Sequence, residues 1–241
     1  MDKMNEQTLA NFWTKKFSGL QHAYDYTRDP TKFEEFAAKF VEAKSDVLEI
    51  GSGVGRFLKL ALERNAKLVV GVDPRYRDPD FKSRVEASAQ PCLELSGELW
   101  HDIHFGAQQF DVVFSQSVFH FFDKAQRRSA FRKVRESLRS DGLFAISLKS
   151  VDSFFLQKGE GEMVDPGDNR WLFYDATGVP VVRKFFYVGE LLAELEAVGF
   201  ISDGNSSVVR ARPCEGYGVR GEWSIWIDLI LERGSDGAFE Q

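Results

Sequence analysis

The chain has 241 residues, 43% of them hydrophobic, which suits one large domain or one domain with a small appendage. A formal net charge of -6 argues against a sequence-independent nucleic-acid binder, which needs a basic surface to displace counterions. The two cysteines, Cys92 and Cys214, form no CxxC pair, so neither a zinc site nor a redox motif is indicated and a reducing, cytoplasmic setting is expected.

The opening segment, MDKMNEQTLANFW, is polar and lacks the apolar run of a signal peptide. No stretch approaches the roughly 20 apolar residues of a membrane span, so no membrane partner is expected. Phe33, Phe36, Ala37 and Phe40 recur at helical spacing, and Asp29-Pro30 divides the region in two. Residues 1–44 therefore read as a helical cap ahead of a main domain over 45–241.

From residue 45 strands and helices alternate. Val47–Ile50 reads as a short buried strand, and Phe57, Leu58, Leu60, Ala61 and Leu62 as the apolar face of a helix. Strands follow at Leu68–Val72, Val112–Phe114 and Phe144–Leu148, with a helix over Lys124–Leu138 before the last of these. This alternation predicts an α/β fold: a doubly wound, mostly parallel seven-stranded sheet with helices on both faces. Leu191, Leu192, Leu195 and Val198 mark one more helix. A strand-turn-strand unit ending in Trp223–Leu231 supplies an antiparallel edge. The cations of 124–139 alternate with Ala125, Phe131, Val134 and Leu138, which favours a solvated outer face over a phosphate-binding surface.

The stretch VLEIGSGVGRF places Gly51, Gly53 and Gly55 directly behind the first strand. In a parallel sheet, ligands bind at the carboxyl ends of strands where the strand order reverses. Glycine there removes a blocking Cβ and permits positive φ. The dinucleotide fingerprint GxGxxG would need glycine at position 56, which is Arg56. Glu49 precedes the turn and would repel a pyrophosphate but suit a cationic ligand. Asp73 ends the second strand, where a carboxylate can accept hydrogen bonds from both ribose hydroxyls. The pair asks for a nucleoside with a cationic, phosphate-free tail.

VLEIGSGVGRF, VVGVDP, FDVVFSQSVFHFF and LRSDGLFAISL, in that order over about 45–150, resemble the class I S-adenosylmethionine-dependent methyltransferases. The resemblance implies a Rossmann-like domain with S-adenosyl-L-methionine as cofactor. It places Glu49, Gly51, Ser52, Gly53 and Gly55 beside the methionine part, Asp73 at the ribose, and Ser115 and Gln116 near the sulfonium end. The family's adenine-binding aspartate, expected after the third strand, has no counterpart in VEASAQ, where Ser88 is the candidate instead.

Methyl transfer needs alignment of donor and acceptor, and a base only if the acceptor must lose a proton. His120, behind the fourth strand, is the candidate general base or substrate orienter. His101 and His104 share a metal-compatible spacing but lack a third ligand, so a surface helix is favoured there and no metal is expected. An irregular acceptor lid is expected at about 149–185, with Lys149, Asp152 and Trp171, together with Tyr24 in the cap, as acceptor contacts. The lid carboxylates Asp152, Glu160, Glu162, Asp165 and Asp168 suit a cationic or polyhydroxylated acceptor, or a solvated loop. The expected function is methyl transfer to oxygen or nitrogen of a small-molecule acceptor. The alternatives are a nucleic-acid or protein methyltransferase and a non-catalytic binder of S-adenosylmethionine.

Overall fold

The computed structural model describes residues 30–86, 91–152, 161–174, 180–201, 207–213 and 223–234. Tyr24, Ser88 and Cys214 lie outside them. The chain divides into two compact units, Met1–Gln116 with Glu136–Phe144, and Ser117–Arg135 with Ala145–Gln241. Among the described residues no helix is long and apolar enough to cross a membrane.

In the first unit, α1 (Lys32–Ala38) opens with a capping box. The Thr31 hydroxyl accepts from the Glu34 N–H, and the Glu34 carboxylate accepts in turn from the Thr31 N–H. β1 (Asp46–Ile50) is buried at every position, as a strand covered on both faces must be. α2 (Arg56–Glu63) buries Phe57, Leu58, Ala61 and Leu62 along one stripe. Phe57 stacks on Phe114 with ring centroids 4.0 Å apart, and Phe33 of α1 lies 5.5 Å from the same ring. β2 (Leu68–Val72) follows, then a 3-10 turn (Pro74–Arg77) and the two-turn helix α3 (Pro79–Glu86). The connection is thus shortened, as its two prolines imply. β3 (Leu93–Ser96) and β4 (Phe110–Gln116) complete the unit's strands.

β1 pairs in parallel with β2 on one side and β4 on the other, so Val47 stands between Val69 and Val112. β2 pairs in parallel with β3. The strand order reverses at β1, and the glycine turn leaves its carboxyl end. Two sequence expectations need correction here. VEASAQ precedes β3, so Ser88 does not follow the third strand; the turn that does begins at Gly97. HDIH forms a turn, not a helix: the Asp102 and Ile103 N–H groups both donate to the Leu99 carbonyl. His101 there pairs with exposed Asp102 at 3.0 Å.

α4 (Lys124–Ser137) and β5 (Leu138–Lys149) contribute to both units. In the second unit a three-stranded antiparallel sheet replaces the expected irregular lid: β6 (Glu162–Asp165), β7 (Arg170–Tyr174) and β8 (Pro180–Lys184). The Asp165 carboxylate accepts from the Asp168 N–H, and Asn169 takes a left-handed φ of 47°, which turns β6 tightly into β7. α5 (Val188–Glu196), the two-residue β9 (Phe200–Ile201), β10 (Ser207–Pro213) and β11 (Trp223–Arg233) follow. β10 and β11 pair antiparallel, and the main sheet runs β10-β11-β5-β4-β1-β2-β3, with β9 beside β11. This is the doubly wound, mostly parallel sheet with one antiparallel edge that the sequence predicts.

The basic face of α4 is not wholly solvated. Arg127 is fully buried, because it lies one turn before Phe131 on the stripe that continues to Val134. Its guanidinium meets Asp168 at 2.6 and 2.9 Å and Glu194 at 2.7 and 3.0 Å, and donates to the Phe122 carbonyl. Lys184, also fully buried, reaches Asp168 at 3.2 Å and Glu190 at 2.6 Å. Asp168, Glu190 and Glu194 therefore spend their charge on two buried cations. Removing one partner of such a network leaves buried charge uncompensated. Asp168→Ala is expected to cost about 3 kcal/mol in equilibrium urea unfolding; a loss within experimental error would show that the network contributes nothing to stability.

Candidate functional site

The glycine turn is held by its own backbone and by two side chains from the segment after β2. Gly51 and Ser52 N–H groups donate to the Val72 carbonyl, and the Gly55 N–H to the Ser52 carbonyl. Gly51, Gly53 and Gly55 have φ of 72°, 58° and 77°, values at which a side chain is strained. The Tyr76 hydroxyl donates to the Gly53 carbonyl at 3.1 Å and lies 2.8 Å from the Ser52 hydroxyl. Burial raises the Tyr76 phenol well above its ordinary value, so it stays a donor.

The Asp73 carboxylate accepts from the Gly53 N–H at 2.9 Å. It also accepts from the Arg75 N–H at 3.0 Å and from the Arg75 guanidinium at 2.9 and 3.0 Å. Burial alone would raise this carboxyl, but Arg75 and the Gly53 hydrogen bond outweigh it and hold the group below its ordinary value. Asp73 is therefore ionised near neutral pH. The Arg75 guanidinium lies across the turn, 2.6 Å from where a Cβ on Gly53 would stand. Neither Arg75 nor Tyr76 was singled out in the sequence, although both stand within three residues of Asp73.

Glu49 has a second use. The N-cap residue of α2 is Gly55, which has no side chain to cap the helix, and Glu49 reaches from β1 to accept from the Leu58 N–H at 3.2 Å. Burial, and then the nearby Glu34 charge, push the Glu49 carboxyl well above its ordinary value. At the end of β4 the Ser115 hydroxyl is buried and donates to the Ile50 carbonyl at 3.1 Å, while Gln116 is half-buried. Ser115 thus ties β4 to β1.

The second unit holds the remaining candidates. His120 sits in a 3-10 turn (Phe119–Phe121) and is only 2% exposed. Its ring lies 4.1 Å from the Phe121 ring, and its Nδ1 has no hydrogen-bond partner among the described residues. Burial first, then the charges of Arg183 and Lys149, hold the imidazole well below its ordinary value, so it is neutral near pH 7. Lys149 ends β5 and is buried. Asp152 is exposed and closes a local turn with the Ser150 hydroxyl at 3.0 Å. Trp171, half-buried on β7, donates its indole N–H to the Asn169 side chain at 3.0 Å and stands opposite Arg183 of β8. Arg183 was missed in the sequence; it stands among valines in PVVRK, where a cation on a short strand is the signal.

Residues 47–142 match the family model described as a methyltransferase domain. Over this span the chain is similar to methyltransferase domains, in keeping with the resemblance read from its motifs. Among solved structures, the chain resembles an S-adenosylmethionine-dependent methyltransferase from Methanosarcina mazei at 16% identity and TM-score 0.66, covering 86% of this chain and 99% of that one. It resembles the 1,6-didemethyltoxoflavin-N1-methyltransferase of Burkholderia thailandensis, solved with 1,6-didemethyltoxoflavin and S-adenosylhomocysteine bound, at 17% identity and TM-score 0.64, covering 95% and 90%. It also resembles the [4+2]-cyclase SpnF at 12% identity and TM-score 0.66, covering 95% and 96%. At these identities the likeness is one of fold. No curated protein sequence matches the chain.

The turn suits a ligand such as S-adenosylmethionine: Gly53 carries no side chain, Arg75 lies over it, and the ionised Asp73 carboxylate stands behind it. Glu49 gives this half of the site a testable signature. A carboxyl raised in the folded state adds stability at pH below its ordinary value and loses it as pH rises through the folded value. Glu49→Gln keeps the acceptor for Leu58 and removes the charge. Its Tm is expected to exceed wild type at pH 8 and to converge with it near pH 4, as followed by thermal denaturation; a lower Tm at pH 8 would contradict the buried-carboxyl reading.

Proposed function

We propose that the methyltransferase transfers its methyl group to oxygen or nitrogen of a small-molecule acceptor, with the donor along the glycine turn. The observation that carries the donor half is the ionised Asp73 carboxylate bonded to the Gly53 N–H in a turn without side chains at Gly51, Gly53 and Gly55. Glu49, Gly51, Ser52, Gly53 and Gly55 hold the methionine end, Asp73 holds the ribose, and Ser115 and Gln116 lie toward the sulfonium. The small-molecule half is supported by the net charge of -6 and by the Burkholderia structure, which shares the fold over 95% of this chain and holds a small acceptor.

S-adenosylmethionine supplies a methyl carbon already activated on a sulfonium. The protein's own residues orient, exclude water and move protons. A carboxylate offers about four acceptor positions, and at Asp73 all four are taken, three of them by Arg75. Asp73 would hold ribose hydroxyls only by giving up guanidinium hydrogen bonds, so Arg75 would have to leave Gly53 to admit the donor. His120, neutral near pH 7, takes a proton from an acceptor hydroxyl or amine.

The experiment is a turnover assay that follows S-adenosylhomocysteine release in a cell extract passed through a membrane that retains macromolecules. Turnover is expected in the filtrate; turnover confined to the retained fraction would contradict a small acceptor. With an acceptor in hand and saturating donor, His120→Gln is expected to lower kcat by about a hundredfold or more while the donor KM stays unchanged. A wild-type rate would remove His120 as a base.

A further inference from the structure

We infer that His120, Lys149 and Arg183 form a recognition site in the second unit for an oxyanion carried by the methyl acceptor. Calling that ligand the acceptor rests on the small-molecule reading above; the anion site itself rests on separate observations.

Three elements bring the groups together. The Ser117 N–H donates to the Ser147 carbonyl at 2.9 Å, which seats the turn bearing His120 against β5. The Phe186 N–H donates to the Lys149 carbonyl at 3.0 Å, which seats the end of β5 against the segment leaving β8. The Arg183 guanidinium of β8 lies 5.6 Å from the centroid of the Phe121 ring, the neighbour of His120.

The second unit treats its cations in two ways. Arg127 and Lys184 are saturated by Asp168, Glu190 and Glu194. Arg183 meets no carboxylate among the described residues, and its Nε is buried without a hydrogen-bond partner there. Nδ1 of His120 is buried and unpartnered in the same way. A buried polar group left unsatisfied costs about 1–3 kcal/mol, and more if charged. An anion that accepts from Arg183, with Lys149 adding positive charge, removes that cost.

Three of the carboxylates that suggested a cationic acceptor are committed elsewhere. Asp168 holds Arg127 and Lys184, Asp165 caps its own turn and Asp152 binds Ser150. The neighbouring surface suits a planar group. Cross-strand partners share a face, so Trp171 stands beside Arg183, with Met163 beyond it. A flat aromatic next to a guanidinium that meets no carboxylate among the described residues fits an acceptor whose oxyanion is conjugated, such as an aryl carboxylate.

The test uses the full chain with benzoate as probe and benzamide as its neutral match, read by the NMR signal of the His120 imidazole. Benzoate is expected to shift the signal in a saturable titration, with benzamide at least about tenfold weaker. Arg183→Gln is expected to weaken benzoate by about tenfold or more. Arg183→Lys, which keeps the charge but loses the planar fork, should fall between it and wild type. Equal binding of benzoate and benzamide, or equal losses in both variants, would overturn the inference. S-adenosylhomocysteine is titrated into the same samples by calorimetry. Wild-type protein that binds it but ignores benzoate overturns the anion site alone; protein that binds benzoate and not S-adenosylhomocysteine keeps the anion site and sinks the donor reading.

Discussion

The structure of the donor half depends on one carboxylate. Asp73 stands at the end of β2 and accepts the Gly53 N–H, which fixes the middle of a turn that has no side chains of its own to hold it. Three glycines at positive φ give that turn its shape and also make it soft. Asp73 from one side, Tyr76 through the Gly53 carbonyl and Glu49 through the start of α2 supply the missing rigidity. The same groups are the ones a cationic nucleoside would address. Support and recognition thus share residues, and the raised carboxyl of buried Glu49 is the cost of that sharing.

Arg75 gives the turn a second condition. Its guanidinium closes on Asp73 and crosses Gly53, so it keeps the carboxylate ionised within the protein. Charge-assisted hydrogen bonds of this kind are the stronger ones, and a ligand that takes over Asp73 must replace them. In the second unit the logic is reversed. There the carboxylates near α4 and α5 are consumed by Arg127 and Lys184, while the Arg183 Nε and the His120 Nδ1 are left without hydrogen-bond partners among the described residues. One set of charges builds the structure and the other is open to a ligand.

Much of this was legible because it is local. The spacing of Gly51, Gly53 and Gly55 reports directly on backbone φ, and Asp73 on the end of a strand, so the turn and its carboxylate could be read from residues alone. Leu68–Val72 was legible as a buried strand for the same reason. β3 was not: LELS lies at the sheet edge, is only half-buried and has no β-branched residue, so its position was mistaken and Ser88 with it. The three-stranded sheet was hidden because turn residues and carboxylates interrupt the alternation of β6, β7 and β8. Arg127 was hidden among the other cations of α4; only its spacing from Phe131 betrays burial. Arg75 and Arg183 act through where their side chains point, and a sequence carries residue order, not side-chain direction.

The central claim is that the Gly53–Asp73 turn binds S-adenosylmethionine and not a dinucleotide. It is tested most directly by calorimetric titration of wild type and Asp73→Ala with S-adenosylhomocysteine and with NAD. The account predicts that wild type binds S-adenosylhomocysteine and not NAD, and that Asp73→Ala weakens that binding by about tenfold or more. Binding of NAD alone, or an affinity for S-adenosylhomocysteine that Asp73→Ala leaves unchanged, would contradict it.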